Sequence, residues 1–322
     1  MSYEILVGDS LKEMRAYSPV DVVMTSPPYN LDIDYKEFED NISREDYLIW
    51  VEEFAIAIKD TLADDGSFFL NMGFTNTDPW VAMDVANVVR KHFILQNQIA
   101  WIKSVAMDNV TKGHFKPIQS PRYINNTFEY VYHFTKTGDI PIDRLAIGVP
   151  YTDKYNAQRW DKDDLHCRGN SWFIPYETIL REPSTGMKVT KQASHWLTVT
   201  EASEITKVNK AIISMAVDSG KLASNGMTRR ERRIDAEDLQ RWNTERHTVK
   251  KLDHPAIYPW ELVEMCIKLH GVKPGMKVLD PCLGTGSTLV ATEKLGVHGI
   301  GIERVADYAA MAQRRLKGEK WT

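Results

Sequence analysis

The chain has 322 residues, 43% of them apolar, enough for one large α/β domain or two ordinary ones and too many for wholesale disorder. Its formal net charge of −4 does not exclude a nucleic-acid partner, because binding answers to local fields and not to the sum. No apolar run is long enough for a bilayer, the start MSYEILVGDS has no signal-peptide core, and Cys167, Cys266 and Cys282 form no CxxC pair; the expectation is a soluble cytoplasmic protein with no membrane association, disulfide framework or metal site.

Taken in chain order, Tyr3–Val7 reads as a strand and Ser10–Arg15 as a short helix with Ser10 as its N-cap. Asp21–Thr25 (DVVMT) is a buried strand ending at Ser26-Pro27-Pro28-Tyr29. Ser43-x-x-Asp46 opens an amphipathic helix that runs to about Leu62 and stops near Gly66. Ser67–Met72 is a strand, Pro79–His92 a helix, and Ile94–Ile102 and Thr127–Phe134 are β-prone. From 141 the chain turns polar and irregular, and from Thr200 helical. After 251 come the strand Val278–Pro281, the loop Gly284-Thr285-Gly286-Ser287, a helix over Ser287–Leu295, the strand His298–Glu303 and a helix over Ala306–Leu316.

Two strands cannot bury both faces of a parallel pair by themselves. One sheet assembled from both ends of the chain is therefore expected, with the middle as an insertion. The divisions are 1–140, 141–250 and 251–322.

The loop after Val278–Pro281 is a nucleotide-site candidate. Its glycines let backbone approach a ligand, and the helix N-terminus offers unpaired N–H groups. Glu303 lies seventeen positions beyond Gly286, at the end of the next strand, where a carboxylate meets ribose hydroxyls in Rossmann-like units. A Gly-Lys-Ser/Thr run is absent, which excludes a P-loop, and Leu289 replaces the third glycine of the dinucleotide fingerprint. Cys282 reads as a packing residue.

The two prolines of Ser26-Pro27-Pro28-Tyr29 fix a rigid extended turn, so acceptors at Ser26 and an aromatic at Tyr29 are held in place. An exocyclic amine, whose lone pair is delocalised into its ring, needs such acceptors around its N–H groups to become nucleophilic. A base must leave the helix to reach them, hence base flipping onto a stacking aromatic.

In this arrangement the sequence resembles the amino-methyltransferases of DNA in the permuted order called the β group. Ser26-Pro27-Pro28-Tyr29 matches their catalytic motif and Asp280-Pro281-Cys282-Leu283-Gly284-Thr285-Gly286-Ser287 their S-adenosylmethionine loop. His254-Pro255-Ala256-Ile257-Tyr258-Pro259 matches the segment before that loop, which in the family packs on the methionine moiety, and Gly8-Asp9-Ser10 a motif near the adenine side. Asp64-Asp65-Gly66-Ser67 resembles the turn into a later core strand, and Asn126-Thr127-Phe128-Glu129-Tyr130 an Asn/His-x-x-Glu pattern. The match spans roughly 1–140 and 250–318. It implies an α/β fold: a Rossmann-like, circularly permuted, S-adenosylmethionine-dependent methyltransferase sheet with a mainly helical DNA-recognition insertion. It implies Ser26, Pro27, Pro28 and Tyr29 as catalytic, and Asp9, Thr25, His254, Pro255, Tyr258, Asp280, Pro281, Gly284, Gly286, Ser287 and Glu303 as cofactor-binding. Family members with Ser at the first motif position mostly methylate cytosine N4, those with Asp adenine N6; Ser26 favours cytosine N4 and leaves adenine N6 as the alternative. Double-stranded DNA is the implied partner, a cognate restriction endonuclease a functional counterpart without physical contact, and a homodimer stays open.

The middle segment 197–243 resembles an excisionase-like winged helix-turn-helix: a capped helix from Thr198 or Thr200, a turn at Val208-Asn209, a helix over Lys210–Asp218, a basic wing over Asn225–Ile234 and a closing helix over Asp235–Trp242. Residues 221–251 hold nine Lys/Arg against five Asp/Glu. Lys207, Lys210, Arg229, Arg230, Arg232 and Arg233 are the expected DNA contacts, mostly to phosphate; a solvated helical face is the plain alternative. Trp160, Arg168, Trp172 and the loop Ala106–Arg122 are further candidates. Rival classes are a methyltransferase of RNA, protein or a small molecule, and a DNA-binding regulator without catalysis.

Overall fold

The computed structural model describes residues 3–31, 40–113, 115, 118, 120–152, 164–175, 196–206, 209–218, 222, 224–225, 233–235, 238–239 and 258–318. The strands in chain order are β1 (Tyr3–Val7), β2 (Val20–Thr25), β3 (Leu62–Met72), β4 (Ile94–Ile102), β5 (Ser104–Met107), β6 (Val110–Gly113), β7 (Phe128–Thr135), β8 (Val149–Pro150), β9 (Leu165–His166), β10 (Ser171–Phe173), β11 (Trp196–Thr198), β12 (Ser224–Asn225), β13 (Arg233–Asp235), β14 (Lys277–Asp280) and β15 (His298–Glu303). Two compact units form: Met1–Thr178 with His254–Thr322, and Ile179–Asp253.

The first unit is built on an eight-stranded sheet in the order β1-β15-β14-β2-β3-β7-β4-β10. The C-terminal strands β14 and β15 insert between β1 and β2, all parallel, as the permuted reading expects. β7 runs antiparallel to both β3 and β4. Successive side chains of a strand face opposite sides, and β2 shows it: Val23 joins one core cluster while Val22 and Met24 join the other. On the first face, the helices Arg44–Thr61 and Val81–Val89 bring Val51, Phe54, Ile58, Val81 and Val85 onto Phe68, Leu70 and Phe134. On the second, the helices Trp260–His270 and Ser287–Leu295 bring Leu262, Val263, Cys266 and Ala291 onto Phe69 and Val278. Both faces of the central strands are thus covered, which is why they read as unbroken apolar runs.

Local signals set most ends. Ser43 caps its helix by accepting from the Asp46 N–H. The first short helix is capped one residue earlier than expected. Asp9 Oδ1 accepts from the Leu11 N–H at 3.0 Å, and Ser10 is the first helical residue. The long helix ends at Thr61 and β3 begins at once, with Val20 opposite Leu62 but Val22 opposite Ser67; Ala63-Asp64-Asp65-Gly66 is extra length against β2, a local irregularity in the ladder.

The division expected at 140 is not where compactness breaks. β10 pairs with β4, the buried Trp172 and Ile174 join the core, and the Trp101 indole N–H donates to the Ile174 carbonyl at 2.8 Å. A polar, irregular sequence hid a segment anchored by a few large apolar side chains. Trp172 is accordingly a core residue with 1% exposure and not a DNA contact.

In the second unit, β11 and β12 flank β13 antiparallel, with helices over Val199–Thr206 and Lys210–Asp218 around Leu197, Ala202, Ile213, Leu222 and Ile234. Thr198 forms a capping box: its Oγ1 accepts from the Glu201 N–H, and Glu201 Oε2 accepts from the Thr198 N–H at 2.7 Å. Asn209 Oδ1 accepts from the Ala211 N–H, starting the second helix.

Candidate functional site

β2 and β14 are adjacent and parallel, with Leu279 opposite Val23. Their carboxyl ends therefore stand side by side, and the loops leaving them wall one cleft. It is lined by Gly8, Asp9 and Ser10; by Ser26, Pro27, Pro28 and Tyr29; by Tyr258; by Pro281 to Thr285 and Ser287; and by Glu303 to Val305, with Trp50 and Tyr308. Its volume of about 980 Å³, open mouth included, is ample for a nucleoside-sized ligand.

The cofactor loop is built around two buried carboxylates. Asp280, fully buried, accepts from the Tyr258 hydroxyl and the Thr288 hydroxyl, both at 2.6 Å, and from the Cys282 N–H at 3.0 Å. Burial raises its carboxyl above the usual range, and these hydrogen bonds oppose the rise. Asp280 thus ties the strand end, the following helix and the segment before the loop into one piece. Glu303 accepts from the Gly284 N–H at 2.7 Å and the Val305 N–H at 2.8 Å, so it braces the glycine loop while lining the cleft. Burial raises its carboxyl as well. Gly286 sits at φ +85°, and a Cβ there would lie 2.9 Å from the Ala312 Cβ; both backbone shape and helix packing require glycine. Burial pushes the Cys282 thiol well up, with Asp280 next in effect, so it stays a thiol and not a nucleophile.

The Ser26-Pro27-Pro28-Tyr29 turn is latched from behind. The Tyr47 hydroxyl donates to the Pro28 carbonyl at 2.9 Å. Asn30, at φ +58°, exchanges two side-chain hydrogen bonds with the Ile42 backbone, and Asp40 accepts from the Asn30 and Leu31 N–H groups. Asn is one of the few residues that tolerate this conformation. At the front, Ser26 Oγ and Tyr29 Oη are 2.6 Å apart. Asn71 Nδ2 donates to Tyr29 Oη and to Glu129 Oε2, each at 2.8 Å, and Tyr29 Oη donates to Glu129 Oε2 at 3.3 Å. Lys103 Nζ donates to Glu129 Oε1 at 2.8 Å.

Of the residues expected at the cofactor site, Asp9, Tyr258, Pro281, Gly284, Ser287 and Glu303 line the cleft. Thr25, Asp280 and Gly286 support its wall without lining it. His254 and Pro255 lie outside the described residues, as do Lys207, Arg229, Arg230, Arg232 and Trp160. Lys210 starts its helix exposed, and Arg233 is half-buried in β13 opposite Asn225 and Thr198. Arg168 donates to the Ile147 carbonyl. Sequence reasoning overlooked Asn71, Lys103, Trp50, Thr288 and Tyr308. A signal existed for Asn71, a lone amide in the apolar strand SFFLNM, where burial demands partners.

A family model described as DNA methylase matches residues 20–314. Type II methyltransferase M.SmaI of Serratia marcescens is 25% identical, the alignment covering 98% of this chain and 91% of that protein. M.ScaI of Streptomyces caespitosus is 22% identical over 97% of this chain and 80% of its own length. The solved PvuII DNA methyltransferase (cytosine-N4-specific) aligns with a TM-score of 0.57 at 16% identity, over 98% of this chain and 86% of that one. A DNA modification methylase of Thermus thermophilus, solved in complex with S-adenosyl-L-methionine and itself assigned only by similarity, gives 0.52 at 19%, over 98% and 93%. At such identity these structures establish the shared fold.

Proposed function

Since the chain belongs to the DNA methylase family, as a β-group DNA amino-methyltransferase with a Rossmann-like sheet, we propose that it transfers a methyl group from S-adenosyl-L-methionine to the exocyclic N4 of cytosine in double-stranded DNA. The observation that carries this is the meeting of the Ser26–Tyr29 turn and the Asp280–Ser287 loop on one cleft. The residues suit the cofactor. Glu303 and Asp9 offer acceptors for hydroxyl and amino groups, Tyr308 and Val305 an apolar wall, and the Gly284–Ser287 backbone a close approach that a side chain at Gly286 would spoil. When bound, the cofactor supplies an electrophilic methyl group on a sulfonium.

The chain's own part is orientation. Ser26 Oγ accepts a hydrogen bond from the amine N–H and favours the pyramidal nitrogen that the reaction needs. Tyr29 presents its ring to an extruded base. No covalent enzyme intermediate is required, and the high Cys282 thiol is consistent with that. Ser26 at the first motif position favours cytosine, as does the likeness to a cytosine-N4-specific relative; adenine N6 is the alternative with the same chemistry.

The second unit is assigned to target recognition as a winged helix-turn-helix. Two capped helices and a three-stranded sheet whose β12–β13 pair leads into and out of the basic run 226–232 support this reading. The Type II relatives point to a role beside a restriction endonuclease.

The test is incubation with S-adenosyl-L-methionine and mixed-sequence duplex DNA, then nucleoside digestion and mass spectrometry. N4-methylcytosine is expected. N6-methyladenine overturns the base assignment, and absence of any modified base overturns DNA methyl transfer itself.

A further inference from the structure

Hydroxyl groups are ambiguous in polarity, since each can donate one hydrogen bond and accept two. Ser26 is useful to an amine N–H only while it presents a lone pair. The network behind the Ser26–Tyr29 turn removes the ambiguity. A carboxylate can only accept, so the two Glu129 oxygens orient everything that touches them. Lys103 donates to Oε1; Asn71 and Tyr29 donate to Oε2. The Asn71 amide must therefore turn its nitrogen toward Glu129, which is how it stands. With the single Tyr29 proton directed to Glu129, Tyr29 Oη is an acceptor toward both Asn71 and Ser26. The Ser26 proton is then committed to Tyr29 across 2.6 Å, and a Ser26 lone pair is left for the cleft that Ser26 lines.

We propose that Glu129, held by Lys103 and Asn71, is a positioning residue that makes Ser26 a hydrogen-bond acceptor toward the substrate amine. This rests on the methyl-transfer reading above. Two further observations bear on it. Asn71 is 1% exposed and lies in the central strand β3, so the network is anchored in the core and not on a mobile surface. A Cβ at Gly73 would come within 2.9 Å of Tyr29 Cε2 and 3.2 Å of Glu129 Cδ, so backbone packs against both members at once. A glutamine at 129 would bring amide donors to the same place, free the Tyr29 proton for Ser26, and turn the Ser26 proton toward the amine.

The experiment compares single-turnover methyl transfer, at saturating cofactor and duplex DNA, in wild type, Glu129→Gln, Glu129→Asp, Ser26→Ala and the Ser26→Ala/Glu129→Gln double variant. Cofactor affinity and thermal melts are measured on each. Glu129→Gln is expected to lose about 10²-fold in rate with cofactor and DNA affinities unchanged, the scale of a lost polar positioning interaction. Glu129→Asp recovers part of it. In the Ser26→Ala background Glu129→Gln costs nothing further, because its effect passes through Ser26. A Glu129→Gln variant at the wild-type rate, or one whose loss adds fully to that of Ser26→Ala, overturns the proposal. Should Glu129→Gln fail to fold, Tyr29→Phe deletes the linking hydroxyl and keeps the ring; a wild-type rate there overturns it equally. A wild type that methylates no DNA overturns the functional reading and this inference with it, whereas an active wild type with indifferent variants overturns this inference alone.

Discussion

Gly286 and Gly296 flank the same helix, Ser287–Leu295, and both adopt left-handed backbone, at φ +85° and +69°. They differ in surroundings. A Cβ at Gly296 meets nothing within 4 Å, while one at Gly286 lies 2.9 Å from the Ala312 Cβ and 3.3 Å from its Cα. Alanine at either position incurs the left-handed penalty, about 1–2 kcal/mol. Only Gly286→Ala adds overpacking, about 1–3 kcal/mol, because Ala312 is fully buried and its helix must shift. Gly296→Ala should thus lower Tm by roughly 2–4 °C and Gly286→Ala by roughly 4–10 °C, at about 2 °C per kcal/mol for a large domain. The loop shift also reaches Gly284, whose N–H is held by Glu303, so calorimetry should show S-adenosyl-L-methionine affinity down at least about tenfold in Gly286→Ala and unchanged in Gly296→Ala. Ala312→Gly removes the opposing methyl group. Its combination with Gly286→Ala should recover about 1 kcal/mol or more relative to additivity. Equal destabilisation by the two glycine substitutions, or strict additivity with Ala312→Gly, would refute the packing argument.

Tyr29→Ala should abolish turnover while leaving S-adenosyl-L-methionine affinity largely intact, since Tyr29 lies at the base-binding side; calorimetry showing lost cofactor affinity contradicts the assignment. Replacing Arg229, Arg230, Arg232 and Arg233 together should weaken DNA binding and flatten its salt dependence in titrations at several ionic strengths; an unchanged slope removes the wing from the interface. His133, buried between Ser67 and Asn97, is depressed by burial to about 4 from 6.5. A depressed folded pKa means that the unfolded chain takes up the proton first. Its stabilisation is complete above pH 6.5 and falls away toward pH 4, by roughly 3 kcal/mol in all. His270, also depressed by burial and bonded to Ser67, acts in the same direction. Urea unfolding of His133→Gln from pH 7 to 4.5 should therefore show a shallower loss than wild type, and identical slopes would reject the assignment.

Strands were legible in the sequence where one physical signal dominated. β2 and β15 are apolar on both faces and end at turn or loop residues, so their extent needed no tertiary information. The capping residues Ser43 and Thr198 were equally plain, since each sits three positions before an acidic residue that the structure pairs with it. What stayed hidden depends on contacts distant in sequence. Asn71, Lys103 and Glu129 come from three separate stretches of chain and meet only because β3, β7 and β4 are neighbours. Asp280 carries a recognisable motif, yet its work is structural as well: the Tyr258 and Thr288 hydroxyls converge on a carboxylate that does not line the cleft. A motif marks where chemistry is housed, and does not separate the groups that touch ligand from those that hold the others.

The sheet order explains why a permuted chain needs no new chemistry. Ligands of parallel α/β sheets bind beyond the carboxyl ends of the strands. What a strand contributes there depends on its place in the sheet and its direction, not on when it is made. β14 and β15 are late in the chain but lie between β1 and β2, running parallel to both. The loop after β1 brings Asp9, the loop after β2 brings Ser26, the loop after β14 brings Gly284, and the end of β15 brings Glu303, all to the same edge. The ladder fixes their spacing, since a slip of one residue between β14 and β2 would turn Val278 and Leu279 to the wrong faces of a sheet buried on both sides. The same burial that makes these strands stable thus sets the distance between the cofactor loop and the catalytic turn. The antiparallel β7 then places Glu129 at its entering end, beside the leaving ends of β3 and β4, and so delivers a carboxylate behind Tyr29 that a wholly parallel sheet would have carried to the far edge.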